Sequence, residues 1–113
     1  MLYSDYLKSR NWQNKRRIKL RHEHSCGVCG SREKLQVHHL TYRTKLKNTK
    51  QRELKVLCDD CHLIAHNLIV AGELKYSKKF NRLKVAVMAY ISARQLDDEL
   101  RCAILRDNPM VHG

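Results

Sequence analysis

Two kinds of metal-binding side chain crowd the middle of this 113-residue chain. Four cysteines form two matched pairs, Cys26-x2-Cys29 and Cys58-x2-Cys61. Such paired knuckles converge readily on a tetrahedron of soft ligands, the arrangement Zn²⁺ favours in closed structural sites. The bland alternative is a set of free buried cysteines, and two matched pairs argue against it. Four histidines stand beside them: the doublet His38–His39 and the pair His62 and His66. Residues four apart share a helix face, so His62 and His66 can hold one metal between them. Adjacent strand residues point to opposite faces, so His38 and His39 cannot do the same job. One ring of the doublet can join the helical pair, and the other must point elsewhere. Four thiolates already saturate one zinc. The histidines would therefore form a second centre with open positions, the type used for catalysis. The alternative reading of these histidines is surface residues or spare ligands.

These side chains need particular elements around them. "KLQVHHL" alternates like a strand, and "ELKVL" is a second short strand running into Cys58. Between them, "RTKLKNTKQR" is polar and basic and reads as a loop. From Asp59, "DDCHLIAHNLIVA" reads as a helix, with two acids at its positive end and Gly72 as its stop. "SCGVCGS" is a glycine-punctuated turn whose N–H groups can face the sulfurs. Residues 5 to 23 read as one helix, capped by Ser4 or Ser9, with Leu7, Trp12 and Leu20 for apolar contacts. Residues 77 to 106 read as a further helical region with a break near Ser92 to Asp97, ended by "DNP". Phe80, Leu83, Val87, Tyr90, Ile91, Leu96, Leu100 and Ile104 recur there at helix spacing and read as core, as does Cys102. The expected fold class is α+β, and a structural metal would compensate for the small core.

Lys and Arg number 23 against 11 Asp and Glu, a net charge of +12. A surplus of this size points to a polyanionic partner, most often nucleic acid. No apolar run approaches the ~20 residues of a spanning helix. The N-terminus lacks the apolar core of a secretory signal, so a soluble cytosolic protein is expected. The basic set Lys15, Arg16, Arg17, Lys19 and Arg21, with Lys45, Lys47, Lys50 and Arg52 in the loop, would contact backbone phosphates. Taken singly, each is an ordinary solvated charge.

The run "CGVCGSREKLQVHHLTYR…ELKVLCDDCHLIAH", residues 26 to 66, resembles the HNH endonuclease family. The preceding "YLKSRNWQNKRRIKLRHEHS" resembles the N-terminal helix of small phage and bacterial members. The resemblance implies a ββα-metal core with a four-cysteine structural zinc, flanked by an N-terminal helix and C-terminal helices. It implies a nuclease domain that, with its N-terminal helix, covers residues 1–72; residues 73–113 fall outside the resemblance and read as a helical extension packed on or beside it. It makes His38 a metal ligand and His39 the general base, with His62 and His66 as further ligands. The catalytic ion would be Mg²⁺, Mn²⁺, Ni²⁺ or Zn²⁺, and the substrate DNA, nicked or cut through both strands. A homodimer or a phage or host DNA-processing partner would fit such a role. Arg43 could hold the scissile phosphate or be an exposed loop arginine. One departure from the pattern is Glu53, where the family carries Asn. Glu53 could accept a hydrogen bond from His39, act as an extra ligand, or cap the loop, and Asn48 is another source of an amide. The rival readings are a zinc module that binds nucleic acid without cutting it, and an interaction protein that recruits a partner through residues 77 to 106.

Overall fold

The computed structural model describes residues 2–42 and 46–107, the last seven by their backbone alone. Arg43, Lys45, the Cys102 and Ile104 side chains and the Asn108–Pro109 stop lie outside the described residues. The elements run α1 (Tyr3–Lys8), α2 (Arg10–His22), β1 (Leu35–His39), β2 (Leu54–Cys58), α3 (Asp59–Val70) and α4 (Phe80–Asp107). Two short 3-10 turns, Leu46–Asn48 and Gln51–Glu53, lie between the strands. Helices thus combine with one antiparallel two-stranded sheet, an α+β arrangement.

The sheet register pairs Val37 with Val56 and His39 with Leu54. Alternation along each strand then sorts side chains into two cores. Val37, Leu54 and Val56 face Tyr6 and Trp12 of α1 and α2. Leu40 and Leu57 face Ala65 and Leu68 of α3, with Leu74 and with Leu83 and Val87 of α4. The sheet is the middle layer between α1–α2 on one face and α3–α4 on the other. The core therefore continues past Gly72 into α4, whose first turns share it with the cysteine pairs.

Two helices differ from the sequence expectation. The stretch read as one helix over 5 to 23 is two, because Ser9 adopts an extended conformation and its Oγ accepts from Trp12 N. Ser9 is thus the N-cap of α2, while Ser4 lies inside α1. A cap of this kind contributes about 1 kcal/mol. Ser9→Ala is therefore expected to lower stability by about that amount in urea denaturation. The second difference is α4, which runs unbroken through Ser92 to Asp97. That segment has no Gly or Pro and is rich in good helix formers. Tyr90, Leu96 and Leu100, expected in the core, are 45%, 59% and 54% exposed. From Ser92 to Leu100 every residue is exposed, since the helix outruns the layer it packs on. No helix among the described residues is long and apolar enough to cross a membrane.

Candidate metal centres and active-site cleft

The first cluster is built where the turn after α2 meets the β2–α3 junction. Cys26, Cys29, Cys58 and Cys61 bring their sulfurs within 4.8 Å of one another. Cys29 Sγ lies 3.6 Å from Cys58 Sγ, a non-bonded separation rather than a disulfide. Backbone amides of Val28 and Cys29 point at Cys26 Sγ, at 3.4 and 3.5 Å, and Cys61 N points at Cys58 Sγ at 3.5 Å. Cys58 thereby also N-caps α3. Gly27 sits in a close space: a Cβ there would lie 2.6 Å from Lys55 Cε, so the lysine end would have to move aside, and 3.0 Å from Phe80 Cζ. Its amide donates to Val56 O at 2.9 Å and pins the turn to β2. Gly30 follows with φ +80, a conformation side chains resist.

Burial raises the Cys26 thiol, yet the amides and neighbouring cysteines outweigh it and bring the group down to about 7. Burial pushes the Cys58 and Cys61 thiols up. Four sulfurs with amides aimed at two of them suit a soft cation, and the cluster could hold a metal ion such as zinc.

The second cluster spans the sheet and α3. His38, expected as a ligand, is 1% exposed and sits on the α3 side of β1. Its ring lies 5.3 Å from that of His62 and 5.2 Å from that of His66, centroid to centroid. His62 and His66, one turn apart on α3, bring their Nε2 atoms to 3.0 Å. Ligand nitrogens from all three lie within 4.8 Å of one another. Both ring nitrogens of His38 are buried with no hydrogen-bond partner among the described residues. A buried imidazole in that state is costly unless something else takes its lone pair. Burial holds His38 down at about 3, helped by the neighbouring histidines, and holds His62 down at about 4. Neutral rings of this kind are ready donors to a cation. The donor set of three imidazoles fits a divalent transition ion with positions left open.

His39 goes the other way, as alternation requires. It is 2% exposed and stacks on Trp12, with centroids 4.7 Å apart and planes at 26°, and on Tyr42, at 5.2 Å and 20°. Tyr6 and Tyr3 meet its edge at 5.9 and 6.3 Å. Its Nε2 is buried and has no partner among the described residues. Burial lowers its proton affinity to about 4, Lys15 adds to that, and the Glu53 carboxylate opposes it. His39 nevertheless shares a cleft of about 430 Å³ with His62 and His66, walled by Tyr3, Trp12 and Tyr42. The aromatic housing was not read from the sequence; the only tryptophan, on an otherwise basic helix, was its one signal.

The remaining candidates divide. Glu53 is 1% exposed, and its carbonyl accepts from Leu40 N at 2.8 Å, next to the doublet. Its charge acts on both His39 and Lys15. Among the described residues it is not part of the convergent histidine set. Asn48 is exposed on its 3-10 turn. Tyr42 is a packing residue, its hydroxyl 3.2 Å from that of Tyr3 and its proton held tightly by burial. Of the basic set, Lys15 Nζ donates to Lys47 O at 2.8 Å and Leu46 O at 3.3 Å. Lys19 Nζ donates to Gln51 O at 3.0 Å and pairs with Glu23 at 2.5 Å. These two lysines tie the loop to α2. Arg16, Arg17, Arg21, Lys47, Lys50 and Arg52 are exposed, and Arg16 lines the cleft.

Set against family models, curated proteins and solved structures, the chain matches none.

Proposed function

We propose that this protein is a metal-dependent endonuclease that hydrolyses DNA phosphodiesters, built on the ββα-metal core of the HNH family that its sequence resembles. The observation that carries the reading is the division of the doublet. His38 turns to His62 and His66 with both ring nitrogens unpartnered, while His39 turns into an aromatic housing on the same cleft. A structural protein has no need of an unpartnered buried imidazole on each face of one strand.

In this reading the four cysteines hold a structural zinc that joins the α2–β1 turn to the start of α3. His38, His62 and His66 hold the catalytic ion. When bound, a divalent cation such as Mg²⁺, Mn²⁺, Ni²⁺ or Zn²⁺ supplies stabilisation of the negative charge that grows on phosphate oxygens in the transition state. The rest is done by the chain. His39, which lines the cleft, accepts a proton there from a water. That water's oxygen bonds to phosphorus as the bond to the 3′ oxygen breaks, leaving 5′-phosphate and 3′-hydroxyl ends. The 3′ oxygen takes its proton from solvent, and His39 returns its own. Trp12 and Tyr42 hold the His39 ring in one orientation, and the buried Glu53 carboxylate favours its protonated form during the step. The exposed arginines of α2 and the loop cations Lys47, Lys50 and Arg52 steer and hold the backbone.

The test is a supercoiled-plasmid assay with Mg²⁺, Mn²⁺, Ni²⁺ or Zn²⁺ added in turn to the purified protein. Nicked or linear product with at least one ion, stopped by chelator, is the expected result. Binding to the plasmid without cleavage under every ion would replace this reading with that of a zinc module that holds nucleic acid.

A further inference from the structure

A second concavity, of about 1060 Å³, opens beside the histidine cluster and is used by none of the chemistry above. It is formed by the α3–α4 connector and the first turns of α4. Lys75, Lys78, Lys79 and Arg82 line it, all exposed, and among the described residues Glu73 is the one acid on its wall. Tyr76, 38% exposed, stands at its edge, its ring 4.9 Å from that of Tyr42 and at 86° to it. Tyr42 in turn stacks on His39. The connector is pinned to the strand that carries the doublet: Ser77 N donates to Leu40 O at 2.9 Å. A small internal gap lined by His38, Leu40, Lys75, Lys79 and Arg82 shows how close the two sites lie.

From this juxtaposition we propose that the groove of Lys75, Lys78, Lys79 and Arg82 holds the sugar–phosphate backbone of DNA on one side of the cleavage position. The proposal rests on the nuclease reading for its choice of DNA, but its own content is a binding surface. Four cations within eight residues repel one another unless a polyanion neutralises them, and the groove gives them one shared occupant. Its registration on Leu40 fixes the distance from bound phosphates to His39, and held phosphates raise the effective concentration of the next phosphodiester at the cleft. Tyr76 offers a ring face to sugar or base where the strand passes between the two sites. The surface lies outside the α2 and loop cations and brings the C-terminal region into substrate binding.

The experiment measures anisotropy of a short fluorescent DNA duplex in buffer without added divalent metal. One variant carries Lys75→Gln, Lys78→Gln, Lys79→Gln and Arg82→Gln. A charge-matched control carries Lys8→Gln, Arg32→Gln, Lys84→Gln and Arg94→Gln, all exposed and none lining the groove. Glutamine keeps much of each stem, and circular dichroism of both variants checks the fold. The groove variant is expected to bind at least about tenfold more weakly at ~0.1 M salt and to lose about two or more from its log–log salt slope. The control should stay within about threefold of wild type at that salt. Equal losses in the two variants, an unchanged groove variant, or wild type that binds anionic vesicles but not DNA would each overturn the assignment. Failure of plasmid cleavage with groove-dependent binding intact would sink the nuclease mechanism and leave the groove standing.

Discussion

His39→Ala should lower plasmid cleavage by roughly 10²–10⁴-fold, the usual contribution of a positioned general base. DNA binding and bound zinc should remain at wild-type levels. The expectation follows from position rather than from the number of histidines nearby. His39 is the member of the doublet that does not join the convergent set, so its removal leaves His38, His62 and His66 intact. Its ring is 2% exposed and packed against Trp12 and Tyr42, so alanine also leaves a cavity. Large-to-small changes at such sites cost about 2–5 kcal/mol. Lost packing must therefore be separated from lost chemistry, and His39→Asn serves for that. Asparagine fills part of the space but cannot take up a proton at neutral pH. A folded, zinc-loaded Asn variant that binds DNA and does not cut supports the base. Normal cleavage by either variant would remove His39 from the mechanism. His62→Ala makes a useful contrast, since it should reduce metal affinity at the cleft and be partly offset by a higher metal concentration.

Loss of Cys58 should have a larger effect still, on the fold itself. Cys58 belongs to the four-sulfur cluster, N-caps α3 through its sulfur, and ends β2. Cys26, Cys58 and Cys61 are also members of the core shared by Leu57, Ala65 and Val87. Structural zinc sites of small domains contribute about 10–16 kcal/mol in peptides at neutral pH. Whole domains of this size are stable by only ~5–15 kcal/mol. Cys58→Ala removes a ligand and the cap together, and is expected to leave the chain without bound zinc and largely unfolded by circular dichroism. Cys58→Ser keeps an oxygen that can cap α3 but is a poor zinc ligand. If both variants unfold alike, the ion is what matters; if serine rescues the fold without zinc, the cap is. Native mass spectrometry of the wild-type chain should show one tightly held zinc. Removing it with a strong chelator should lower the melting temperature sharply, and an unchanged melting curve would show that the cluster is not a structural metal site.

The chemistry-bearing residues were readable from the sequence wherever local geometry alone sets them. A C-x2-C turn, an i,i+4 pair on a helix and an alternating strand each determine which side chains can meet, because their periods are properties of the backbone. The approach of Cys26 to Cys29 and of Cys58 to Cys61 within each turn, the pairing of His62 with His66 and the opposite facing of His38 and His39 are all of this kind. So is the order of two short strands followed by a helix, with Asp59 and Asp60 at the start of α3.

Tertiary structure decided the rest, and for one reason: contacts between residues far apart in the chain have no period to announce them. Trp12 and His39 are separated by most of α2, the whole cysteine turn and the rest of β1, yet their stacking is what houses the candidate base. Lys15 and Lys19 have the same composition signal as Arg16 and Arg17, and only the docking of the loop on α2 turned the lysines to backbone carbonyls. Glu53 lies buried beside the doublet, its backbone carbonyl accepting from Leu40 N, a contact no local pattern announces. The apolar residues of α4 look alike by spacing, but Leu83 and Val87 are core while Leu96 and Leu100 are exposed. The helix simply runs further than the layer beneath it, and a hydrophobic pattern cannot say where its partner ends.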